Sequence, residues 1–307
     1  MNKTGWLFPG QGSQIVGMGF DLYNNSELAK MYFEKSEEIM NFDIKSIIFN
    51  GPEKLLIKTE YTQPAIYILS VIIGYLLLER GHQPNALAGH SLGEYSALTI
   101  SGAFGFDTGL KLVKLRSESM AKAGLLEEGS MAAIIGLENR TIKSICSSFN
   151  KSGIVVIANY NSPGQIVISG NKKAVLWAIE QAKIKGARMA VELKVSGAFH
   201  SPLMSPAREE LAHVLNSLEI SDASYPVYSN VDAKPIMKRS EIKDVLLRQL
   251  ENPVLWSKSI LNMKNDKIFK FYELGPGKVL KGLNRRIDKN LVVNCIGSLE
   301  QMDQVLV

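Results

Sequence analysis

The longest run of apolar positions, AIYILSVIIGYLLL from Ala65 to Leu78, is short for a bilayer span and is broken by Ser70 and Gly74. It therefore reads as a helix buried in a globular fold. Helical spacing extends it over Tyr61 to Arg80, with Thr62 as the expected N-cap and Pro64 in the first turn, where a missing N–H costs little. Upstream, Gly5 to Phe8 reads as a short strand running into the glycine-rich turn PGQGSQ. Downstream, Ala86 to Ala88 reads as a short buried strand that feeds GHSLGE, and Glu94 to Ile100 resumes helical character. Ser91 is thereby expected at a strand-to-helix turn.

The pattern changes between Met131 and Leu193. In order it reads strand MAAIIGL, helix Arg140 to Phe149, strand IVVIANY, turn NSPG, strand QIVISG, helix Lys172 to Lys185 and strand RMAVEL. This β-α-β-β-α-β order is the ferredoxin-like signature, and NSPG between two β-rich runs is a strong turn signal. The expected organisation is a small domain, 128–195, inserted into a larger α/β domain formed by 1–127 and 196–307. The larger domain resumes with a helix over Pro206 to Leu218, a strand over Pro226 to Ser229, a helix over Ser240 to Leu250 and a late strand over Lys270 to Glu273 ahead of the turn LGPGKVL. No repeat or low-complexity tract interrupts it.

Composition narrows the class. A chain of 307 residues with 46% hydrophobic content can bury a large core. The N-terminus meets Pro9 and Gly10 before an apolar stretch of signal-peptide length can form, so a cytosolic protein is expected. Cys146 and Cys295 lie in unrelated segments without a C-x-x-C or Cys/His cluster. Neither a disulfide nor a metal site is expected, and both read as buried thiols. The net charge of +5 is spread over short groups such as AKIKGAR, KPIMKR and NRRIDK, too sparse for a nucleic-acid module. A mildly basic face suits an acidic protein partner or a phosphorylated small molecule equally well.

Candidate chemistry begins at GHSLGE, where Gly89, Ser91 and Gly93 form G-x-S-x-G. Alone this is weak evidence, because turns collect glycine and serine. A serine nucleophile needs a base, and the chain has four histidines. His82 lies in the polar loop RGHQPN, His213 on a helix, and His90 beside Ser91, where a sharp turn makes the two side chains diverge. His200 sits in the punctuated loop SGAFHSPLM, where the chain leaves the small domain, and is the candidate base. No acidic residue stands out as its orienter, a task a backbone carbonyl can perform. Charge developing on the attacked carbonyl requires backbone donors: Leu92 N–H is one, and the PGQGSQ turn, with Gln11 at its tip, offers a second or is a plain tight turn. Arg116 lies in a helical stretch with apolar Leu112, Val113 and Met120 at helical spacing. Its partner is either a substrate carboxylate or an internal acid, unless the side chain snorkels.

LFPGQGSQ, GHSLGEYSAL, LVKLRSESM, GSMAAIIGL, ANYNSPGQIVISG, KVSGAFHSPLM, RQLENPVLW and ELGPGKVLKGL, in this order, together resemble the malonyl-CoA:acyl carrier protein transacylases, acyltransferases of fatty-acid and polyketide synthesis. The resemblance spans nearly the whole chain. It implies an α/β-hydrolase-like large domain with the ferredoxin-like insertion, Ser91 as the acylated nucleophile, His200 as its base and the Gln11 and Leu92 N–H groups as the oxyanion hole. It also implies that Arg116 grips the malonyl carboxylate, that the Gln249 main-chain carbonyl orients His200, and that Phe199 in GAFH leaves little room for an α-methyl branch. The implied reaction is ping-pong transfer of malonyl from malonyl-CoA to the phosphopantetheine thiol of an acidic acyl carrier protein, for fatty-acid elongation. No cofactor, metal, nucleic acid or membrane takes part, and a monomer is expected. Alternatives are a stand-alone acyltransferase serving a polyketide synthase, a serine thioesterase or esterase, and a carrier-binding module without activity. Arg116 on an apolar helix and the lack of a distinct acid argue against the esterase.

Overall fold

Thr4–Phe8 forms β1, and four of its five residues are buried because it runs through the middle of a sheet. In the computed structural model, which describes residues 3–306, ten strands make two sheets. Beside β1 the larger sheet contains β2 (Ala86–Gly89), β7 (Val227–Tyr228), β8 (Pro235–Ile236), β9 (Lys270–Leu274) and β10 (Val292–Ile296), in the order β10-β9-β1-β2-β7-β8. All neighbours are parallel except β7 and β8. Parallel strands bring their exit loops to one end, which in open α/β sheets is where ligands bind. Phe8 is in register with Gly89, so the PGQGSQ turn and the GHSLGE turn leave the sheet side by side.

Both faces of this sheet are covered. On one side the Thr59–Glu79 helix packs with the Phe106–Leu126 helix in a core that includes Phe8, Phe33, Tyr67 and Tyr95. On the other, Leu7, Trp256, Ile260 and Phe271 form a second cluster beneath the helices Trp256–Asn265 and Val279–Ile287. The Thr59–Glu79 helix is long and apolar enough to cross a membrane, yet 83% of its most apolar window is buried within the fold, as expected of a core helix. Its start differs from expectation: the N-cap is Lys58, and Thr62 lies inside the helix, its hydroxyl donating to the Leu56 carbonyl. Pro64 consequently falls in the second turn rather than the first.

The second sheet holds β3 (Gly129–Ile135), β4 (Val155–Ser162), β5 (Gln165–Asn171) and β6 (Met189–Glu192), ordered β4-β5-β3-β6 and antiparallel throughout. The helices Asn139–Ser148 and Lys172–Ile184 cover it, and Ile142, Ile145, Val175 and Ile179 meet Ile134, Ile157 and Ile168 in a core of its own. Pro163 and Gly164 make the two-residue turn between β4 and β5, with Gly164 at φ 69°. The cysteines are free and half-buried, less enclosed than expected, though burial still raises both thiols to about 12.

Candidate active site

The chain turns sharply between the end of β2 at Gly89 and the start of the Gly93–Ile100 helix. Ser91 takes φ 52°, a left-handed conformation that costs a non-glycine residue energy and persists only where its surroundings enforce it. Asn230, just beyond β7, supplies that enforcement: its Oδ1 accepts the Ser91 N–H at 2.7 Å and its Nδ2 donates to the Gly89 carbonyl at 2.6 Å. The flanking glycines are required by space. A Cβ on Gly93 would lie 2.0 Å from the Phe8 carbonyl oxygen, and one on Gly89 would lie 1.8 Å from the Gly93 backbone.

His200 lies in the loop after β6, also at positive φ (57°), and is buried. Its Nε2 stands 2.8 Å from Ser91 Oγ, and its Nδ1 lies 2.8 Å from the Gln249 main-chain oxygen. A carbonyl only accepts, so the proton sits on Nδ1 and leaves Nε2 free to accept from the serine. Burial first, and then the nearby Arg116 charge, push the imidazole down to about 3. It is neutral at physiological pH, the state a base requires.

Arg116, on the Phe106–Leu126 helix, is 1% exposed. Its Nη1 donates to Gln63 Oε1 at 2.6 Å, and its Nη2 to Gln249 Oε1 at 2.9 Å and to Ser91 Oγ at 3.1 Å. Its guanidinium carbon lies 5.4 Å from the centre of the Tyr95 ring. Every hydrogen-bond acceptor is neutral, Nε has no partner, and among the described residues Arg116 forms no ion pair. The internal acid that the sequence left open is absent from its hydrogen bonds. The buried Glu94 carboxyl acts on its charge through space and not by a hydrogen bond, so the guanidinium keeps donor capacity for an incoming carboxylate.

Gln11 and Leu92 line the same cleft as Ser91 and His200. Among the described residues neither main-chain N–H donates to another group, so both are available to an oxyanion. The cleft, of about 270 Å³, lies between the two sheets: His90 and Leu280 belong to the larger part of the chain, Met131, Asn161 and Gln165 to the smaller. A larger groove of about 520 Å³, between the Asn139–Ser148 helix and the loop Glu251–Pro253, also reaches His200 but not Ser91, which lines only the smaller cleft of the two, so the chemistry belongs there.

Ser91, His200, Arg116 and Gln249 are thus joined by direct hydrogen bonds, with Gln11 and Leu92 beside them. His90 turns away from the serine, with Nε2 2.8 Å from Asn161 Oδ1 and its ring against Trp256; His213 is exposed on the Ser205–Ser217 helix. Phe199 lines the cleft and is buried. Sequence reasoning missed Gln63 and Asn230. The first was visible as a lone amide entering a strongly apolar helix. The second gave no signal of its own, since its partners, Ser91 and Gly89, lie far along the chain.

The acyl transferase domain family matches residues 5–286. The chain is 41% identical over 304 residues to the malonyl CoA-acyl carrier protein transacylase of Bacillus subtilis (strain 168), covering 99% of this chain and 96% of that one. It is 38% identical to the protein of that name from Escherichia coli (strain K12), covering 100% and 99%. An acyl carrier protein S-malonyltransferase from Vibrio cholerae superposes with a TM-score of 0.95 at 41% identity, over 99% of both chains. A malonyl-transacylase solved in complex with its type II polyketide synthase acyl carrier protein also superposes at 0.95, with 38% identity over 99% of both. The chain belongs to the acyl transferase family, among the malonyl CoA-acyl carrier protein transacylases.

Proposed function

We propose that this transacylase moves malonyl from malonyl-CoA to the phosphopantetheine thiol of an acyl carrier protein through a malonyl ester on Ser91. The observation that carries the reading is the double engagement of one oxygen: Ser91 Oγ lies 2.8 Å from a neutral imidazole nitrogen and 3.1 Å from a buried guanidinium. Ser91 Oγ attacks the thioester carbonyl while His200 Nε2 takes its proton, and the Gln11 and Leu92 N–H groups hold the resulting oxyanion. Collapse expels the CoA thiolate, which recovers the proton from His200. The carrier's thiol then gives its proton to His200 and attacks the ester, and Ser91 leaves as the reprotonated alcohol. The Gln249 carbonyl keeps the histidine in one tautomer throughout, the role often filled by an acid. Arg116 pairs with the malonyl carboxylate and holds the acyl group against the serine. The scheme needs no cofactor beyond the carrier's own prosthetic arm.

In this reading the larger sheet and its helices form an α/β-hydrolase-like catalytic domain, 1–127 and 196–307, and 128–195 is a ferredoxin-like insertion that closes the cleft. The enzyme works in the cytoplasm as a monomer, and an acidic carrier docks on exposed basic residues. Arg286 stands at the rim, donating to the cleft residue Gln165 at 2.7 Å, with exposed Lys281 and Arg285 on the same helix. Lys183 is engaged with Glu180, and it lines the cleft no more than Lys185 and Arg188 do. A second reading, service to a polyketide synthase, is favoured by the similarity to the transacylase solved with such a carrier. Malonylated enzyme, freed of CoA and offered fatty-acid and polyketide carrier proteins from the same organism, tests both. Transfer to the fatty-acid carrier is expected at the higher rate. Release of free malonate with transfer to neither carrier would contradict both readings.

A further inference from the structure

We infer that Glu94 is a positioning residue for the carboxylate clamp: its ionised side chain fixes the amide orientation of Gln249, and through that amide it holds Arg116 over Ser91. The inference rests on the reading of Arg116 as the group that pairs with the malonyl carboxylate.

Glu94 is fully buried on the first turn of the Gly93–Ile100 helix and takes no part in the chemistry described above. Its Oε1 accepts the Asn230 N–H at 3.2 Å, and its Oε2 accepts from Gln249 Nε2. The second Gln249 N–H goes to the Ser91 carbonyl at 3.0 Å, which leaves Gln249 Oε1 to accept from Arg116. Each amide position is therefore dictated by its partner. A flipped amide would set its oxygen against the Glu94 carboxylate and the Ser91 carbonyl, and its NH2 against the guanidinium. An ionised carboxylate only accepts, whereas a carboxylic acid carries a donor. With Oε1 taken by Asn230, the proton of a neutral Glu94 lies on Oε2 and faces the Gln249 N–H. Rotating the amide relieves that clash but sets its oxygen against the Ser91 carbonyl and turns NH2 towards Arg116, which loses an acceptor, so the clamp is weakened in either orientation. The bond from His200 to the Gln249 main chain is untouched by this rotation, so the base survives while the clamp loosens.

Burial raises the Glu94 carboxyl from its ordinary range to about 7, against the lowering effect of Gln249, Asn230 and Arg116 and with the raising effect of Asp232. Asp232, on the loop after β7, is itself kept ionised by Arg248. Tyr95 on the same helix is pushed up to about 12 and His200 down to about 3, so neither changes charge near neutrality.

The test is the rate of Ser91 acylation by malonyl-CoA divided by that by acetyl-CoA, followed through neutral pH. As pH rises through about 7 the ratio in the native enzyme is expected to climb about tenfold, the low end for losing a hydrogen bond to a charged group. Glu94→Gln is expected to give a low ratio independent of pH, and Glu94→Asp to retain the pH dependence. A flat ratio in the native enzyme, or an unaltered pH dependence in Glu94→Gln, overturns the inference. If Glu94→Gln does not fold, the native profile decides. Arg116→Ala separates the two claims: if it abolishes the malonyl preference while the native ratio is flat, the positioning role of Glu94 fails alone. If it leaves the preference intact, the clamp and this inference fail together.

Discussion

At the residue scale, the proposed selectivity for malonyl rests on a buried cation whose hydrogen-bond acceptors are all neutral. Three side chains hold Arg116 in place, but none neutralises it, so an acyl group that brings a carboxylate gains an interaction that acetyl cannot make. Charge-assisted hydrogen bonds of this kind contribute about 1.5–3 kcal/mol, or roughly one to two decades in rate. Arg116→Ala is therefore expected to lower kcat/KM for malonyl-CoA by about that factor and to leave acetyl-CoA unchanged or improved. Arg116→Lys should recover only part, because an ammonium lacks the planar fork. Equal losses for both substrates would make Arg116 a structural residue. The six site residues named from the sequence lie in or beside one cleft. Ser91, His200 and Arg116 were legible because each stood out locally: a serine between glycines, a histidine in a punctuated loop, a cation on an apolar face. The Gln249 carbonyl had no such mark, since any residue presents one. Glu94 was quoted within GHSLGE and yet went unread, because its partners, Asn230 and Gln249, are joined to it only by the fold.

At the scale of elements, the turn from β2 into the Gly93–Ile100 helix works only because two glycines let backbones touch. Gly93→Ala would place a methyl 2.0 Å from the Phe8 carbonyl, which belongs to the central strand and cannot move aside. Overpacking of this kind costs about 1–3 kcal/mol. The variant is expected to melt lower and, since the elbow must shift, to lose acylation activity out of proportion to its stability. Normal acylation in a destabilised Gly93→Ala would show that the elbow tolerates displacement. The strands between Met131 and Leu193 were readable because β-rich runs alternate with helical spacing around an unambiguous NSPG turn. Thr62 was misread as a cap because its hydroxyl and the following proline imitate a helix start; in the structure the hydroxyl bonds back to Leu56 from within the helix. The two-residue strand β7 is shorter than the expected Pro226 to Ser229, and Ser229 leads directly into the turn that presents Asn230 to Ser91.

At the scale of the whole molecule, the cleft is built by both sheets, and the basic helix Val279–Ile287 stands at its rim, with Leu280 and Leu283 facing in and Arg285 and Arg286 exposed. Attraction between exposed charges weakens with salt. Transfer to an acidic carrier is thus expected to fall more steeply with ionic strength than acylation by malonyl-CoA, and Arg285→Glu with Arg286→Glu should flatten that difference. Equal salt sensitivity of the two half-reactions would place docking elsewhere. The central claim is that the malonyl group waits on Ser91 between donor and acceptor. The most direct measurement is the intact mass of the enzyme after mixing with malonyl-CoA and no carrier, followed by peptide mapping. A gain of one malonyl group on Ser91, absent in Ser91→Ala and discharged when carrier protein is added, is the expected result. A label that persists in Ser91→Ala, or maps to another residue, would contradict it.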